Sequence, residues 1–158
     1  MWERDKGVSE RRQFCTFWMG QRLYGVPVEE VQEVMRGQAM TRVPLAGSAV
    51  RGLINLRGKI VTAIDLRKGL GLGEERIKGP LMNVVVSNKA YTVSFLVDAI
   101  GDVLEVSEEA FEDVPETLQG EARKLVAGVY KLPNGLLHVL DAEKCVQTGD
   151  SGRKEAAE

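Results

Sequence analysis

The stretch Gly52-Leu53-Ile54-Asn55-Leu56-Arg57-Gly58-Lys59-Ile60-Val61-Thr62-Ala63-Ile64-Asp65 decides how this chain folds. Two short apolar runs rich in Leu, Ile and Val flank the turn pair Arg57-Gly58, the pattern of two strands joined as a hairpin. Asp65 then stands where a helix N-cap belongs, ahead of one or two helical turns over Leu66 to Leu70. The same figure returns without a gap at Gly128-Val129-Tyr130-Lys131-Leu132-Pro133-Asn134-Gly135-Leu136-Leu137-His138-Val139-Leu140-Asp141. Each copy reads Gly, apolar strand, turn, apolar strand, Asp. Few residues are identical, so two explanations stand side by side. One is an internal repeat; the other is the general habit of small β-proteins to alternate hairpins and turns.

Working outward, the remaining apolar runs are also short and separated by turn residues. Gln13 to Met19 and Arg22 to Val26 flank Gly20-Gln21, and Leu81 to Ser87 and Ala90 to Val97 flank Asn88-Lys89. Tyr24 and Tyr91 follow the turns of these two hairpins. Pro27 suits a helix N1 position, and Val28, Val31, Val34 and Met35 recur at helical spacing, which predicts a short amphipathic helix over Pro27 to Arg36. On that helix Glu29 and Glu30 form the wet face. Met40 to Val43 reads as a brief strand stopped by Pro44, and Ile100 to Val106 as a longer one, with Ser107 capping a turn behind it. Glu112 to Lys124 is polar and reads as irregular, and Asp141 caps a closing helix toward Val146. Residues 1–12 form a charged lead, 13–147 the folded part and 148–158 a disordered tail. The expected architecture is mainly β, as two small lobes sharing a core, with short helices.

The composition narrows the chemistry. The chain has 158 residues, of which 44% are hydrophobic, enough for a real core. Its 21 basic and 23 acidic residues leave a net charge of −2, which gives no electrostatic reason for a nucleic-acid or membrane partner. The charged start Met1-Trp2-Glu3-Arg4-Asp5-Lys6 has no apolar signal region, and the longest uncharged run, Gly79 to Asn88, falls far short of the ~20 apolar residues of a spanning helix. These features predict a cytoplasmic protein without membrane insertion. Two distant cysteines, Cys15 and Cys145, exclude a disulfide framework and a cysteine-only zinc site, and with no basic cluster beside them they read as small buried hydrophobes. No metal or cofactor is expected.

Candidate chemistry is sparse. His138, the single histidine, has no second His or Cys near it in sequence and reads as a hydrogen-bonded residue in or beside the core. Gly69-Leu70-Gly71-Leu72-Gly73 follows a short helix and lacks a Lys-Ser/Thr, so it reads as a helix C-cap and connection and not as a phosphate cradle. Asp65 and Asp141 are explained as caps, while Asp98 and Asp102, four apart in a strand-like segment, fall on one face. Arg57, at the tip of an apolar hairpin, reads either as a solvated loop residue or as a planar guanidinium that orders a loop or grips a carboxylate.

Gly52-Leu53-Ile54-Asn55-Leu56-Arg57-Gly58, followed by Asp65-Leu66-Arg67, resembles the G-x-x-N-L-R-G hairpin and D-L-R end of the CheW family, the adaptors of bacterial chemotaxis. Four further segments match in order. Tyr24-Gly25-Val26 with Val31-Gln32-Glu33-Val34 resembles the early strand and helix, and Thr41-Arg42-Val43-Pro44 the piece after it. Leu96-Val97-Asp98-Ala99-Ile100-Gly101-Asp102-Val103-Leu104 resembles the V-D-x-V-x-D-V-L strand, and Gly128 to Val146 the last hairpin and helix.

The resemblance implies two five-stranded SH3-like barrels and a non-enzymatic role, linking methyl-accepting chemoreceptors, through their cytoplasmic tips, to the regulatory domain of the histidine kinase CheA in membrane-associated arrays. It places Val31, Gly52, Ile100 and Val103 at receptor contacts and Glu33 and Arg57 on a charged pair that couples receptor to kinase. Thr62 stands where the family often has Pro, and Ala99 where it often has Gly. Two other readings remain: an adaptor of a non-motility pathway, and a small-ligand-binding barrel using His138, which requires a pocket at that residue.

Overall fold

The protein is described by a computed structural model, which covers residues 10–43, 49–72 and 81–147. Its strands are β1 (Arg11–Met19), β2 (Arg22–Pro27), β3 (Val31–Arg36), β4 (Val50–Leu56), β5 (Lys59–Asp65), β6 (Met82–Ser87), β7 (Thr92–Val97), β8 (Ala99–Ser107), β9 (Phe111–Glu112), β10 (Val126–Leu132) and β11 (Gly135–Leu140). Short helices α1 (Leu66–Gly69) and α2 (Glu121–Leu125) and helical turns at 142–147 complete it. The strands form two sheets, ordered β8-β1-β2-β11-β10-β9 and β3-β6-β7-β5-β4. The chain is mainly β and two-lobed, as its sequence implies.

The lobes are two copies of one plan. A shift of 69 residues carries β1, β2 and β3 onto β6, β7 and β8, so that Phe17↔Ile100 in one sheet matches Val86↔Val31 in the other. A shift of 76 carries β4 and β5 onto β10 and β11, including the irregularity at Val50/Gly52, which recurs at Val126/Gly128. Even the short β9 has its counterpart, the single bridge Thr41↔Leu53. Under this correspondence Tyr24, beside His138, matches Val93, beside Thr62, so Tyr24 and Tyr91 are not equivalents. Each lobe also lends a strand to the other. β3 follows β2 but pairs with β6, and β8 follows β7 but pairs with β1.

Three apolar clusters follow from this exchange. Ile54, Leu56, Val61, Val85 and Leu96 fill one barrel, and Phe14, Val106, Tyr130, Leu137 and Val139 fill the other. The third and largest lies where the two hairpins β1–β2 and β6–β7 face each other, with Phe17, Tyr24, Val26, Val84, Val86 and Phe95 at its heart. These hairpins are apolar on both faces because both faces are covered. At ~1.5–3 kcal/mol per buried side chain, the shared cluster is the main force holding the lobes together.

Three expectations are corrected. Pro27 to Arg36 is not an amphipathic helix: only Val28–Glu30 forms a single 3-10 turn, and the rest is strand β3. A bulge between Val31 and Glu33 inserts one residue, which turns the period of two into a three-residue spacing and imitates helical periodicity. Met40 to Val43 is reduced to the one bridge at Thr41. β1 begins at Arg11, ahead of the strand read from Gln13. The expected caps are present: the Asp65 carboxylate accepts from the Arg67 and Lys68 N–H groups, Asp141 accepts from the Lys144 N–H and Ser107 from that of Glu109. Helix α1 ends at Leu70 with Gly71 at φ 73°, consistent with a C-cap, while Gly73 and the rest of that loop lie outside the described residues, as does the tail 148–158.

Candidate functional site: a charged hairpin tip and the rims of the shared core

The β4–β5 turn has two central residues in the left-handed region, Arg57 at φ 53° and Gly58 at φ 86°. Such a turn matches the twist of its strands but favours Asn or Gly at its first position, so Arg57 is held there against its preference. Asn55 supports the turn by accepting the Gly58 N–H at 2.8 Å. The Arg57 guanidinium donates two parallel hydrogen bonds to Glu33 on β3, at 2.8 and 2.6 Å. This decides the reading left open for Arg57: it grips a carboxylate 24 positions away. The hydrogen bonds from Arg57 hold the Glu33 carboxyl below its ordinary pKa, and Glu33 in turn raises that of the guanidinium. Because β3 and β4 are the two edges of their sheet, the pair closes that barrel at its rim.

The sister lobe has no such pair. Asp102 stands at the place of Glu33, and Pro133-Asn134 at that of Arg57-Gly58, with neither of these two turn residues at positive φ. The fold is therefore built equally well without it.

Of the four residues matched to receptor contacts, three share one setting. Cross-strand partners project to the same face. Ile100 and Val103 pair with Phe17 and Cys15, and Val31 pairs with Val86, so all three lie on the faces turned toward the shared core. Val31 is half-buried against that core, Ile100 is at its margin and Val103 is 57% exposed. A bulge between Cys15 and Phe17 sets Ile100 and Val103 on one face despite their three-residue spacing. The Thr16 hydroxyl fills the bulge by donating to the Asp102 carbonyl, at 2.5 Å. Gly52 differs: it is buried on β4, and a Cβ there would lie 2.8 Å from the Thr41 carbonyl oxygen. The close approach expected of it is to this chain's own backbone.

Of the exposed apolar residues that the sequence reading did not single out, two belong to the lobe of the charged tip. Val34, the counterpart of Val103, is 40% exposed, and Ile60, beyond the charged tip, is 61% exposed. Val34 was concealed by the helical reading of its segment; the bulge sets it on the face of Val31, opposite Glu33 and Met35.

The remaining candidates are separated. Asp98 is buried and accepts from Arg67 at 2.6 Å and from the Gly20 N–H at 2.8 Å, whereas Asp102 is exposed, so the two do not share one face. Cys15 and Cys145 are free thiols; burial raises the pKa of both, that of Cys145 to about 12 with a smaller contribution from Asp141. Neither is an activated nucleophile. His138 is buried, and its Nδ1 lies 3.0 Å from the Leu23 carbonyl oxygen. Burial lowers its pKa, against the opposing effect of that hydrogen bond. Among the described residues no group of His, Cys, Asp and Glu is placed to hold a metal ion, and no helix is long and apolar enough to cross a membrane.

Known proteins were compared with the chain. A family model described as a CheW-like domain matches residues 13–149. The chemotaxis protein CheW of Bacillus subtilis is 32% identical over 135 residues, covering 85% of this chain and 86% of the relative. Protein FrzA of Myxococcus xanthus is 31% identical over 144 residues, covering 88% and 87%. Among solved structures, the scaffolding protein TtCheW from Thermoanaerobacter tengcongensis superposes with a TM-score of 0.75 at 26% identity, over 84% of this chain and 90% of that one.

Proposed function

The chain belongs to the CheW-like domain family, and from that membership we propose that it is a non-enzymatic adaptor coupling chemoreceptors to the histidine kinase CheA in a chemotaxis-type array. Its work is done by contact. Val31, Val34, Ile100 and Val103 offer apolar positions at the rims of the shared core, suited to the apolar stripe of a receptor-tip helix. The kinase regulatory domain takes a further surface, burying about 1,600 Å² in total as a standard interface does. Recruitment to a membrane-associated array then occurs through these partners.

The observation that carries the coupling role is the bidentate Glu33–Arg57 pair. It is exposed, it costs the turn a left-handed arginine, and the sister lobe folds without it. Charges in such a place set orientation and partner choice more than affinity. The test is a pull-down of the kinase regulatory domain and of receptor signalling tips from the same cell, using this chain as bait. Both partners are expected to be retained at near-equal stoichiometry. Retention of neither would overturn the adaptor reading.

A further inference from the structure

A cleft of about 560 Å³ opens between the β1–β2 turn, the β10–β11 turn and the 115–118 segment, away from the Glu33–Arg57 tip. That volume is within the range of small-ligand sites. Its apolar walls are Trp18, Leu23, Leu104, Leu118, Leu132 and Leu136. One wall is fixed in advance: the Arg123 guanidinium donates to the carbonyl oxygens of Pro115, at 2.7 Å, and Leu118, at 3.0 Å. The cleft is therefore preformed.

Its polar end is specific. Arg22 is the one charged side chain among the lining residues. His138, 7% exposed, also lines it. With its Nδ1 hydrogen donated to the Leu23 carbonyl, the neutral ring keeps Nε2 as a bare acceptor. Beneath, the Tyr24 ring packs on His138 at 5.3 Å between centroids, and its enclosed hydroxyl faces the Arg22 side chain without a hydrogen bond of ordinary geometry. A buried polar group left unpaired is costly, and a fold that does not need one rarely keeps it. The internal repeat shows that this fold does not need them. Where one lobe has Trp18, Arg22, Tyr24 and His138, the other has Ser87, Tyr91, Val93 and Thr62 in the same register.

We propose that this cleft binds a small organic carboxylate with an apolar body and an N–H or O–H donor: the carboxylate on Arg22, the body against the leucine walls and the donor on His138 Nε2. The pocket that a ligand-binding reading of His138 requires is thus present, in addition to the coupling surface and independent of it.

The test is a two-dimensional NMR titration of the full chain with N-acetyl-phenylalanine, set against its neutral amide. The acid should give saturable shifts at the Trp18 indole N–H and at the Leu136 amide, and the amide should bind at least tenfold more weakly. Arg22→Gln, an exposed substitution whose fold is checked by its thermal midpoint, should weaken the acid tenfold or more. The amide arm needs no variant and stands even if Arg22→Gln fails to fold. Absence of saturable shifts, equal binding of acid and amide, or shifts confined to the Val34 and Ile60 region would each overturn the proposal.

Discussion

At the scale of single residues, the molecule separates charges that hold the fold from charges free to act outside it. Arg67 on α1 reaches Asp98 at 2.6 Å, and the Asp98 side chain is only 1% exposed. Asp98 sits between β7 and β8, where the chain crosses from one lobe to the other, and it also fixes Gly20 in the β1–β2 turn. Removing it would take the buried Asp98 carboxylate away from a guanidinium whose side chain is only 13% exposed, which costs ~3–5 kcal/mol. Asp98→Ala should therefore lower the urea midpoint by that equivalent; a loss under about 1 kcal/mol would show the pair to be no more than a surface contact. Both residues stand in motifs legible in the sequence, Asp65-Leu66-Arg67 and Val97-Asp98, but their partnership was not, because 31 positions separate them. The pairing of Glu33 with Arg57 came from the family resemblance; spacing alone concealed it, with Glu33 assigned to a helix that does not form.

At the scale of elements, hairpins were legible and bulges were not. β1–β2, β4–β5, β6–β7 and β10–β11 all turn where Gly20-Gln21, Arg57-Gly58, Asn88 and Pro133-Asn134 mark them, since turn residues act locally. A bulge depends on the strand opposite, and those in β3 and β8 reproduced the spacing of a helix in one case and left the alternation misread in the other. Gly52 belongs at this scale. Its missing Cβ lets the 40–41 segment lie against β4, with Thr41 and Leu53 exchanging two backbone hydrogen bonds of 2.8 Å. Gly52→Ala must push that backbone away and is expected to cost ~1–3 kcal/mol in urea unfolding. If stability is unchanged while receptor binding falls, Gly52 is instead a direct contact. A loss of both together would identify it as a residue that positions the rim.

At the scale of the whole molecule, the two copies of one plan are tied by exchanged strands and a common core, and both proposed sites lie where the copies have diverged. The repeat explains what the opening hairpin and its echo at Gly128 to Asp141 have in common. The divergences, Glu33–Arg57 in one lobe and Arg22 with His138 in the other, are what the repeat does not account for. Transmission by contact through an exposed ion pair requires that breaking the pair leave the fold intact, because surface pairs add little to stability. The most direct measurement is receptor-controlled kinase activity in arrays reconstituted from receptor, CheA and this chain, comparing the native protein with Arg57→Ala and Glu33→Ala at matched thermal midpoints. The adaptor account predicts that the native chain restores receptor control and that either substitution abolishes it. Kinase activity that ignores this chain, or control that survives both substitutions unchanged, would contradict it.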